Sequence, residues 1–453
     1  MIENDEILNR RIFGIHFTPI EIFNKYILPQ INDIIYNYIW VDLYCGEGNL
    51  ILPILNLIPK EDRQSFFKEH ILCYDISEDA IRKAIDNAIS YGIPKDLAEE
   101  NIKIKDTLKE YPNITRKYPI FHITNPPYLY LGYIRKHKEA SNELAYFTGM
   151  NKGYQDLYQI ALINDLRHEI SNMIYIIPSN FLFSDAGANK IRRDFLRYYK
   201  IKSCYIFEKK IFDYTGTNVL IINFERTNLP NDKIEFDAFK INSHIEKKRY
   251  ILYENNNFKP GNEYYEYINN NFKKDHINAR FYLTYNELLE NEGNNKVILL
   301  NSKNYRYGEY TKETFYVNDM MYERIISNPL FIRTLDTGSL NGKAGLYSIY
   351  DEYKVDGIFV KGQTYRTHPI QIFIEPKLTK NESYNLMKLF NHILNNLRDK
   401  TDSDFMTTYK YTDNPKYTRK YLGLKQVKEI LATISIKDLK DTQEVIEQSK
   451  HFY

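Results

Sequence analysis

Short apolar runs alternate with segments of helical periodicity between about residues 39 and 225. Seven of these runs have the length and composition of strands, and they read YIWVDLY, HILCYD, NIKIKD, YPIFHIT, NMIYIIP, IKSCYIF and NVLIINF. Apolar residues recur at helical spacing in Glu78–Ala88, Leu157–Leu166 and Ala188–Tyr199. Strands that alternate with helices are typical of a mostly parallel sheet covered on both faces. The pattern therefore predicts an α/β domain with a seven-stranded, mostly parallel sheet.

The connection between the last two apolar runs differs from the others. Only KKIFDYTGT separates them, and this segment has a turn signal at Gly216 but no helical periodicity. A short connection of this kind favours an antiparallel hairpin. We therefore expect the last strand of the sheet to be antiparallel to its neighbours.

The character of the chain changes after Phe224. The segment RTNLPNDK is polar and contains a proline and two asparagines, which is typical of a linker. We therefore predict a first domain at residues 1–230 and a second, mixed α+β domain at residues 235–453. Within the second domain, a strand–turn region is expected at Lys296–Tyr307 and a helix from Glu382 to about Leu397.

Composition places the chain among folded proteins. Its 453 residues are 43% hydrophobic and 26% charged, which excludes wholesale disorder and a fibrous repeat. The start, MIENDEILNRRIF, is acidic where a secretory signal would be basic, and no apolar stretch is long enough for a membrane span, so we expect a cytoplasmic protein. The 61 basic and 59 acidic residues give a net charge of +2, so a polyanionic partner would have to meet local positive charge.

The three cysteines do not suggest a metal or redox site. Cys45, Cys73 and Cys204 each lie in an apolar run, and none has a partner at C-x-x-C spacing. We expect them to be small buried hydrophobic residues, and we expect no metal cofactor.

A glycine motif follows the first predicted strand. Asp42-Leu-Tyr-Cys-Gly46-Glu-Gly48 combines an acidic residue at the strand end with two glycines that permit a tight turn and close approach of a ligand. Ile51 stands where a dinucleotide fingerprint has its third glycine, and the chain has no phosphate-loop motif. Nicotinamide and ATP sites are therefore disfavoured, whereas an ordinary strand–turn–helix connection remains an alternative.

Two more acids end the next strands. Asp75 ends the second strand, where a carboxylate can accept hydrogen bonds from ribose hydroxyls, and Asp106 ends the third, where it can accept from an adenine amino group. Because the carboxyl ends of parallel strands meet at one edge of the sheet, the three acids outline an adenosine-shaped pocket. Each acid alone could equally be a helix N-cap or a turn residue.

The fourth strand ends in Thr124-Asn-Pro-Pro-Tyr128. Two prolines remove backbone donors and restrict φ, so the Asn125 side chain and the Pro126 carbonyl can form a fixed pair of acceptors. Such a pair suits an exocyclic amino group, whose nitrogen lone pair it would free for attack on an electrophile. Tyr128 offers a flat face for a base. A plain Pro-Pro turn is the alternative.

These motifs together resemble the S-adenosylmethionine-dependent DNA amino-methyltransferases of restriction–modification systems. Asn125 before Pro-Pro-Tyr is similar to the adenine-N6 branch, and Phe17-Thr18-Pro19 ahead of the glycine motif is similar to the gamma group. The later segments GYQDLYQIAL, IIPSNFL and IFDYTGTNVLIINF also resemble family segments, so the likeness covers about residues 12–225.

The resemblance implies a Rossmann-like methyltransferase fold, S-adenosyl-L-methionine as the cofactor with S-adenosyl-L-homocysteine as its product, and a target-recognition domain after the catalytic domain. It implies the following cofactor-binding residues: Thr18, Pro19, Asp42, Tyr44, Gly46, Gly48, Asp75, Ile76, Asp106, Thr107 and Asn125. It implies the following catalytic residues: Asn125, Pro126, Pro127, Tyr128 and Phe212, the last as a second face for the base. Tyr214 and Thr215 occupy the place of a basic residue found in some relatives, so no cation is assigned there.

A base inside a duplex cannot reach a concave pocket, so the target must be flipped out and a second domain must hold the duplex. The segment from Tyr409 to Tyr421 interleaves four basic residues with tyrosines, which suits phosphate contacts and stacking; they are Lys410, Lys416, Arg419 and Lys420. Residues 247–249 form another basic run. Solvated basic faces are the alternative for both.

The sequence thus predicts a site-specific methyltransferase acting on adenine N6 in double-stranded DNA. We expect a monomer on DNA, without a membrane partner, and any restriction endonuclease to be a separate polypeptide. The alternatives are methylation of RNA adenine or of a protein glutamine, and a non-catalytic nucleic-acid-binding protein on a methyltransferase fold. The intact Asp42, Asp75 and Asn125–Tyr128 argue against the last of these.

Overall fold

The protein is described by a computed structural model that covers residues 18–115, 117–209, 211–212, 218–337, 342–364, 367–411 and 418–440. The chain divides into two compact units, Met1–Pro260 and Gly261–Tyr453. Within these ranges, no helix combines the length and the apolar character that crossing a bilayer requires.

In the described part of the first unit, nine strands form one sheet in the order β3-β2-β1-β4-β5-β7-β6-β8-β9. The strands are β1 (Ile39–Asp42), β2 (Ile71–Asp75), β3 (Ile102–Ile104), β4 (Ile120–Thr124), β5 (Asn172–Pro178), β6 (Tyr199–Phe207), β7 (Val219–Arg226), β8 (Lys233–Ile241) and β9 (Ile245–Tyr253). The first five are parallel to one another. The unit is therefore a mixed α/β fold built on a mostly parallel sheet.

The predicted hairpin is confirmed, because β7 lies between β5 and β6 and is antiparallel to both. The seven predicted strands correspond to β1–β7. Two further strands extend the sheet: β8 pairs in parallel with β6, and β9 pairs antiparallel with β8. The polar segment after β7 is consequently a loop within the first unit, which runs to Pro260 and not to the predicted end at residue 230.

Helices cover both faces of this sheet. The α-helices of the first unit are Ile20–Ile22, Leu28–Ile31, Arg63–His70, Glu78–Ser90, Lys95–Asn101, Leu131–Ile134, Leu157–Arg167, Asn180–Phe183 and Asn189–Leu196. Ser77 caps the helix Glu78–Ser90 by accepting a hydrogen bond from the Ala80 N–H. Strand β5 shows why both faces are covered: Tyr175 and Ile177 belong to one core cluster, and Ile174 and Ile176 belong to another.

The second unit contains smaller sheets and a long helix. Its strands are β10 (Asn278–Phe281), β11 (Glu292–Arg306), β12 (Glu309–Val317), β13 (Leu330–Arg333), β14 (Gly345–Ser348), β15 (Gly357–Phe359), β16 (Ile370–Glu375), β17 (Thr407–Tyr411) and β18 (Thr418–Tyr421). Among described residues they form sheets β10-β16-β13-β14, β12-β11-β15 and β17-β18. The α-helices are Asn262–Asn271, Tyr285–Glu290, Asp319–Ile326, Ile349–Tyr353, Lys380–Thr401, Leu424–Leu431 and Ile436–Lys440. Thr379 and Glu382 form a capping box that starts the longest helix, slightly before the predicted Glu382.

Candidate active site

A pocket of about 510 Å³ lies at the carboxyl edge of the sheet in the first unit. The residues that follow β1, β2, β3 and β4 all contribute to its walls, because parallel strands end on the same side of the sheet. Nine of the predicted cofactor residues line it, namely Thr18, Asp42, Tyr44, Gly46, Asp75, Ile76, Asp106, Thr107 and Asn125. Of the predicted catalytic residues, Asn125, Pro126 and Pro127 line it.

Asp42 places a buried carboxylate at the end of β1. Its side chain accepts hydrogen bonds on Oδ1 from the Thr124 hydroxyl at 2.6 Å and from the Tyr44 N–H at 3.0 Å. Oδ2 is buried and has no hydrogen-bond partner among the described residues. Burial raises the pKa of Asp42 to about 6, although the bond from Thr124 opposes the rise. The pocket therefore contains a carboxylate oxygen that can still accept from a ligand.

Asp75 joins the ends of β1 and β2. Its Oδ2 accepts from the Gly46 N–H at 2.8 Å, and its Oδ1 accepts from the Ser77 N–H at 2.9 Å. Gly46 has φ of +53°, a conformation that glycine adopts without strain. Burial raises the pKa of Asp75 above its ordinary value, and the backbone bonds oppose this. Because a carboxylate has about four acceptor positions, Asp75 can also accept from ligand hydroxyls.

Asp106 follows β3 and binds a segment that the sequence analysis did not identify. Its Oδ2 accepts from the Tyr146 hydroxyl at 2.8 Å and lies 3.0 Å from the Lys109 ammonium. The neighbouring Thr107 hydroxyl donates to the Leu43 carbonyl at 2.7 Å. Tyr146 itself lines the pocket, so this wall combines an acid with an aromatic ring.

The Asn125 carboxamide is fixed on both sides. Its Nδ2 donates to the Thr18 hydroxyl at 3.0 Å, and its Oδ1 accepts from the Tyr128 hydroxyl. The Tyr128 hydroxyl also lies 2.7 Å from the Ile176 carbonyl. These contacts restrict rotation of the carboxamide, so its polar atoms are held in place before any substrate binds.

Asp156 supports the chain just after the Asn-Pro-Pro-Tyr loop. It belongs to the segment GYQDLYQIAL and accepts from the Leu129 N–H at 2.9 Å. Burial raises the pKa of this carboxyl group to about 7, although backbone donors oppose the shift. Asp156 therefore ties the loop to the start of the helix Leu157–Arg167.

A buried polar cluster beneath the pocket was missed by the sequence analysis. His122 Nδ1 lies 2.6 Å from Asp165 Oδ2, and the Leu43 N–H donates to His122 Nε2 at 3.3 Å. The hydroxyls of Tyr111 and Tyr175 donate to Asp165 at 2.8 and 2.6 Å. The contacts fit an imidazole that donates from Nδ1 and accepts on Nε2. A histidine inside the apolar run IFHIT was the available signal.

Four predicted residues do not line the pocket: Pro19, Gly48, Tyr128 and Phe212. Gly48 has φ of +84°, and a Cβ there would lie 2.6 Å from Leu52 Cδ1, so this glycine shapes the turn. Tyr128 is half-buried against the core. Phe212 is 3% exposed within a core cluster, which corrects its assignment as a stacking face.

Of the four predicted DNA-binding basic residues, the structure contradicts one, Lys420. Lys416 and the side chain of Lys410 lie outside the described residues. Arg419 donates from Nε to the Asp336 carbonyl at 2.9 Å. Lys420 is 4% exposed, and its ammonium donates to the Thr408 hydroxyl. The prediction that Lys420 contacts a DNA phosphate is therefore wrong, because its ammonium group is buried.

The second basic run lies on β9 and is paired with acids on β8. Lys247 lies 2.8 Å from Asp237, and Arg249 lies 2.9 Å from Glu235 and 3.3 Å from Asp237. These acids neutralise much of the positive charge, so the run is not a strong polyanion surface.

The three cysteines are free and buried, as the sequence predicts.

The first unit thus combines a mostly parallel sheet with a pocket at the carboxyl edge of its strands. The chain belongs to the N-6 DNA methylase family, whose model matches residues 9–314. A search of curated proteins found no match.

Solved structures with a similar fold come from restriction–modification enzymes. A nuclease-deletion mutant of the Type ISP enzyme LlaGI, in complex with a DNA substrate mimic, is 13% identical with a TM-score of 0.51, covering 88% of this chain and 46% of that chain. The M protein of the type I enzyme EcoKI is 16% identical with a TM-score of 0.35, and the match covers 49% of this chain and 48% of that chain. A type I methyltransferase subunit from Streptococcus thermophilus is 17% identical with a TM-score of 0.34, and the match covers 49% of this chain and 46% of that chain. The chain thus spans less than half the length of each.

Proposed function

We propose that this protein transfers a methyl group from S-adenosylmethionine to the N6 amino group of an adenine flipped out of duplex DNA, at a specific sequence. The observation that carries the proposal is the position of Asn125 and Pro126. Both line the same pocket as the strand-end acids Asp42 and Asp75. A cofactor site and a pair of amino-group acceptors are therefore combined in one cavity, and the N-6 DNA methylase family supports adenine as the target.

The residues present fit the cofactor. The pocket has the volume of a small-molecule site. The buried Asp42 Oδ2, which has no partner among the described residues, suits the ammonium group of the methionine part. Asp75 would accept from the ribose hydroxyls, and Asp106 from the adenine amino group. When bound, the cofactor supplies an electrophilic methyl group on its sulfonium.

The target amino group would meet two neutral acceptors. Asn125 Oδ1 and the Pro126 carbonyl accept its two protons in hydrogen bonds, which draws the nitrogen toward tetrahedral geometry and exposes its lone pair. The bond from Asn125 Nδ2 to Thr18 keeps the amide oxygen from exchanging places with the nitrogen. Because these dipoles are already oriented, little reorganisation is needed during methyl transfer. We assign the Tyr128 ring as the flat face beside the base.

Duplex DNA is the proposed partner, and the second unit is the part that would recognise it. Flipping a base costs a few kcal/mol, so contacts outside the pocket must hold the duplex. The likeness to LlaGI extends over 88% of this chain, and that structure holds a DNA substrate mimic. This likeness in fold supports DNA as the partner of this chain.

Sequencing tests the specificity of the proposed function. The protein is expressed in a host without adenine methylation, and modified bases are mapped in its genomic DNA. We expect N6-methyladenine at one recurrent sequence, and a much smaller methylated fraction of those sites in a matched strain that expresses Asn125→Ala. Unmodified DNA, together with new methyl groups on RNA adenine or on protein glutamine, would show that one of those groups is the substrate instead.

Cofactor binding should depend strongly on Asp75. We expect Asp75→Ala to weaken S-adenosylmethionine binding by more than tenfold, since a lost hydrogen bond to a charged group is worth about 1.5–3 kcal/mol. Titration calorimetry measures the change. Asp86→Ala, an exposed acid on the helix Glu78–Ser90, is the matched control and should bind as the parent does. Equal affinities of the parent, Asp75→Ala and Asp86→Ala would show that Asp75 does not bind the cofactor.

A further inference from the structure

The hairpin of β11 and β12 ends in an exposed ribbon of the second unit. The pairing of β11 with β15 ends at Asn301. Beyond that residue, β12 is the one strand that pairs with β11 in the described structure. Beyond the three-stranded part, a register shift adds residues to β11, and the two strands then pair at Tyr305 with Tyr310 and at Arg306 with Glu309. A two-stranded ribbon therefore projects past the three-stranded sheet.

The turn at the end of this ribbon holds a tyrosine in a conformation that tyrosine does not favour. Tyr307 and Gly308 connect the last strand pair, with φ of +54° and +90°. Two-residue hairpin turns with positive φ at both positions favour Asn-Gly, because a bulky side chain is strained there. Tyr307 is 104% exposed, so packing within the chain does not compensate for the strain. A strained and fully exposed aromatic residue indicates a role outside the chain's own core.

The charges around Tyr307 favour a polyanion. Residues 302–312 contain three basic side chains, Lys303, Arg306 and Lys312, and one acid, Glu309. Arg306 and Lys312 are exposed, and no carboxylate lies within ion-pair distance of either among the described residues. This differs from Lys247 and Arg249 on β9, which are paired with acids.

The ribbon is also anchored close to its turn. The Tyr305 ring lies 4.7 Å from the Tyr310 ring, and Tyr310 packs against the core cluster that contains Phe331 and Ile349. The exposed tip can thus keep its shape while it contacts a partner.

We propose that the end of this hairpin enters the major groove of duplex DNA, with Arg306 and Lys312 on phosphates and the Tyr307 ring against the groove. The inference rests on the proposed function, because it assumes a DNA substrate. The major groove is about 12 Å wide and 8.5 Å deep and admits a two-stranded β-ribbon. The exposed basic side chains on the two strands, Arg306 and Lys312, would contact the phosphates that border the groove.

Tyr307→Asn separates binding from folding. Asparagine suits the turn better than tyrosine does, so we expect the thermal unfolding temperature to stay equal or to rise. Binding of a labelled mixed-sequence duplex, measured by fluorescence anisotropy with the full-length protein, should weaken about tenfold. Parental affinity in Tyr307→Asn would overturn the role of the ring.

Salt dependence tests the phosphate contacts. Between about 50 and 200 mM salt, Arg306→Ala and Lys312→Ala should each reduce the slope of log affinity against log salt by about one. Lys296→Ala is the matched control, because Lys296 is an exposed lysine near the start of β11 and pairs with Tyr316. Equal slopes in all three variants, whether reduced or parental, would overturn the proposal.

Measurements on the parental protein distinguish a failure of the hairpin assignment from a failure of the proposed function. If it methylates DNA and binds the duplex while the hairpin variants behave as the parent does, only the hairpin assignment is wrong. If the parental protein neither methylates nor binds duplex DNA, the proposed function fails and the hairpin assignment fails with it.

Discussion

Replacing Asn125 by alanine is expected to slow methyl transfer by about 10²- to 10³-fold, the range for removing one preorganised hydrogen-bonding group that acts on the reacting centre. The expected loss is in the chemical step, because the amide oxygen matters most as the amino nitrogen changes geometry. Asp42 and Asp75 remain in place, so cofactor affinity should change only slightly. Single-turnover transfer of labelled methyl to duplex DNA measures the rate, and calorimetry measures the affinity.

Two further variants make this result specific. Thr18→Val removes the hydroxyl that accepts from Asn125 Nδ2 and should produce a smaller loss, since it frees the carboxamide without deleting it. Asn32→Ala changes an exposed asparagine outside the pocket and should transfer at the parental rate. Parental transfer by Asn125→Ala would contradict the proposed activation of the amino group.

Replacing Asp42 by asparagine is expected to change stability and cofactor binding in opposite directions. Burial raises the pKa of Asp42 to about 6, so its ionised form costs the folded protein about 3 kcal/mol at pH well above that value. Asparagine keeps the acceptor for Thr124 and Tyr44 but carries no charge. We expect Asp42→Asn to unfold at an equal or higher temperature at pH 8 and to bind S-adenosylmethionine more than tenfold more weakly.

The pH dependence follows from the sign of the shift. The cost of the buried carboxylate is present above pH about 6 and decreases as pH falls through that value, because the proton binds more tightly in the folded state. The stability difference between Asp42→Asn and the parent should therefore shrink with acidification, and parental cofactor affinity should fall. Denaturant unfolding and calorimetry across this range measure both trends. Asp86→Asn should follow the parent throughout, and a destabilised Asp42→Asn with parental affinity would contradict the account.

The sequence predicted most of the pocket because its residues follow strands. Asp42, Asp75 and Asn125 are far apart in the chain, yet a parallel sheet must bring the ends of its strands to one edge. Once the apolar runs identified the strands, the wall residues followed without knowledge of the loops. The binding of Asp106 by Tyr146 was not predictable, since it depends on how the segment after Tyr128 folds back over the sheet.

Other features depend on which way a side chain points. The segment around Lys420 has the composition of a phosphate-binding strand, but the structure buries that ammonium beside Thr408 and leaves Tyr307 exposed on another hairpin. Alternation along a strand does not show which face packs when both contain tyrosine and lysine. The role of Phe212 could not be read from the sequence either, because an aromatic residue suits a core as well as a stacking site. The boundary at residue 230 was placed too early because a polar loop between two strands resembles a linker.

The central claim is that this pocket methylates adenine N6 in duplex DNA, and the identity of the methylated product tests it most directly. The purified protein is incubated with duplex DNA and S-adenosylmethionine labelled in its methyl group, and the DNA is digested to nucleosides and separated. We predict that the label co-elutes with N6-methyldeoxyadenosine and that Asn125→Ala lowers its initial rate of appearance by about 10²- to 10³-fold. Label in N4-methyldeoxycytidine or on the protein itself would contradict the claim.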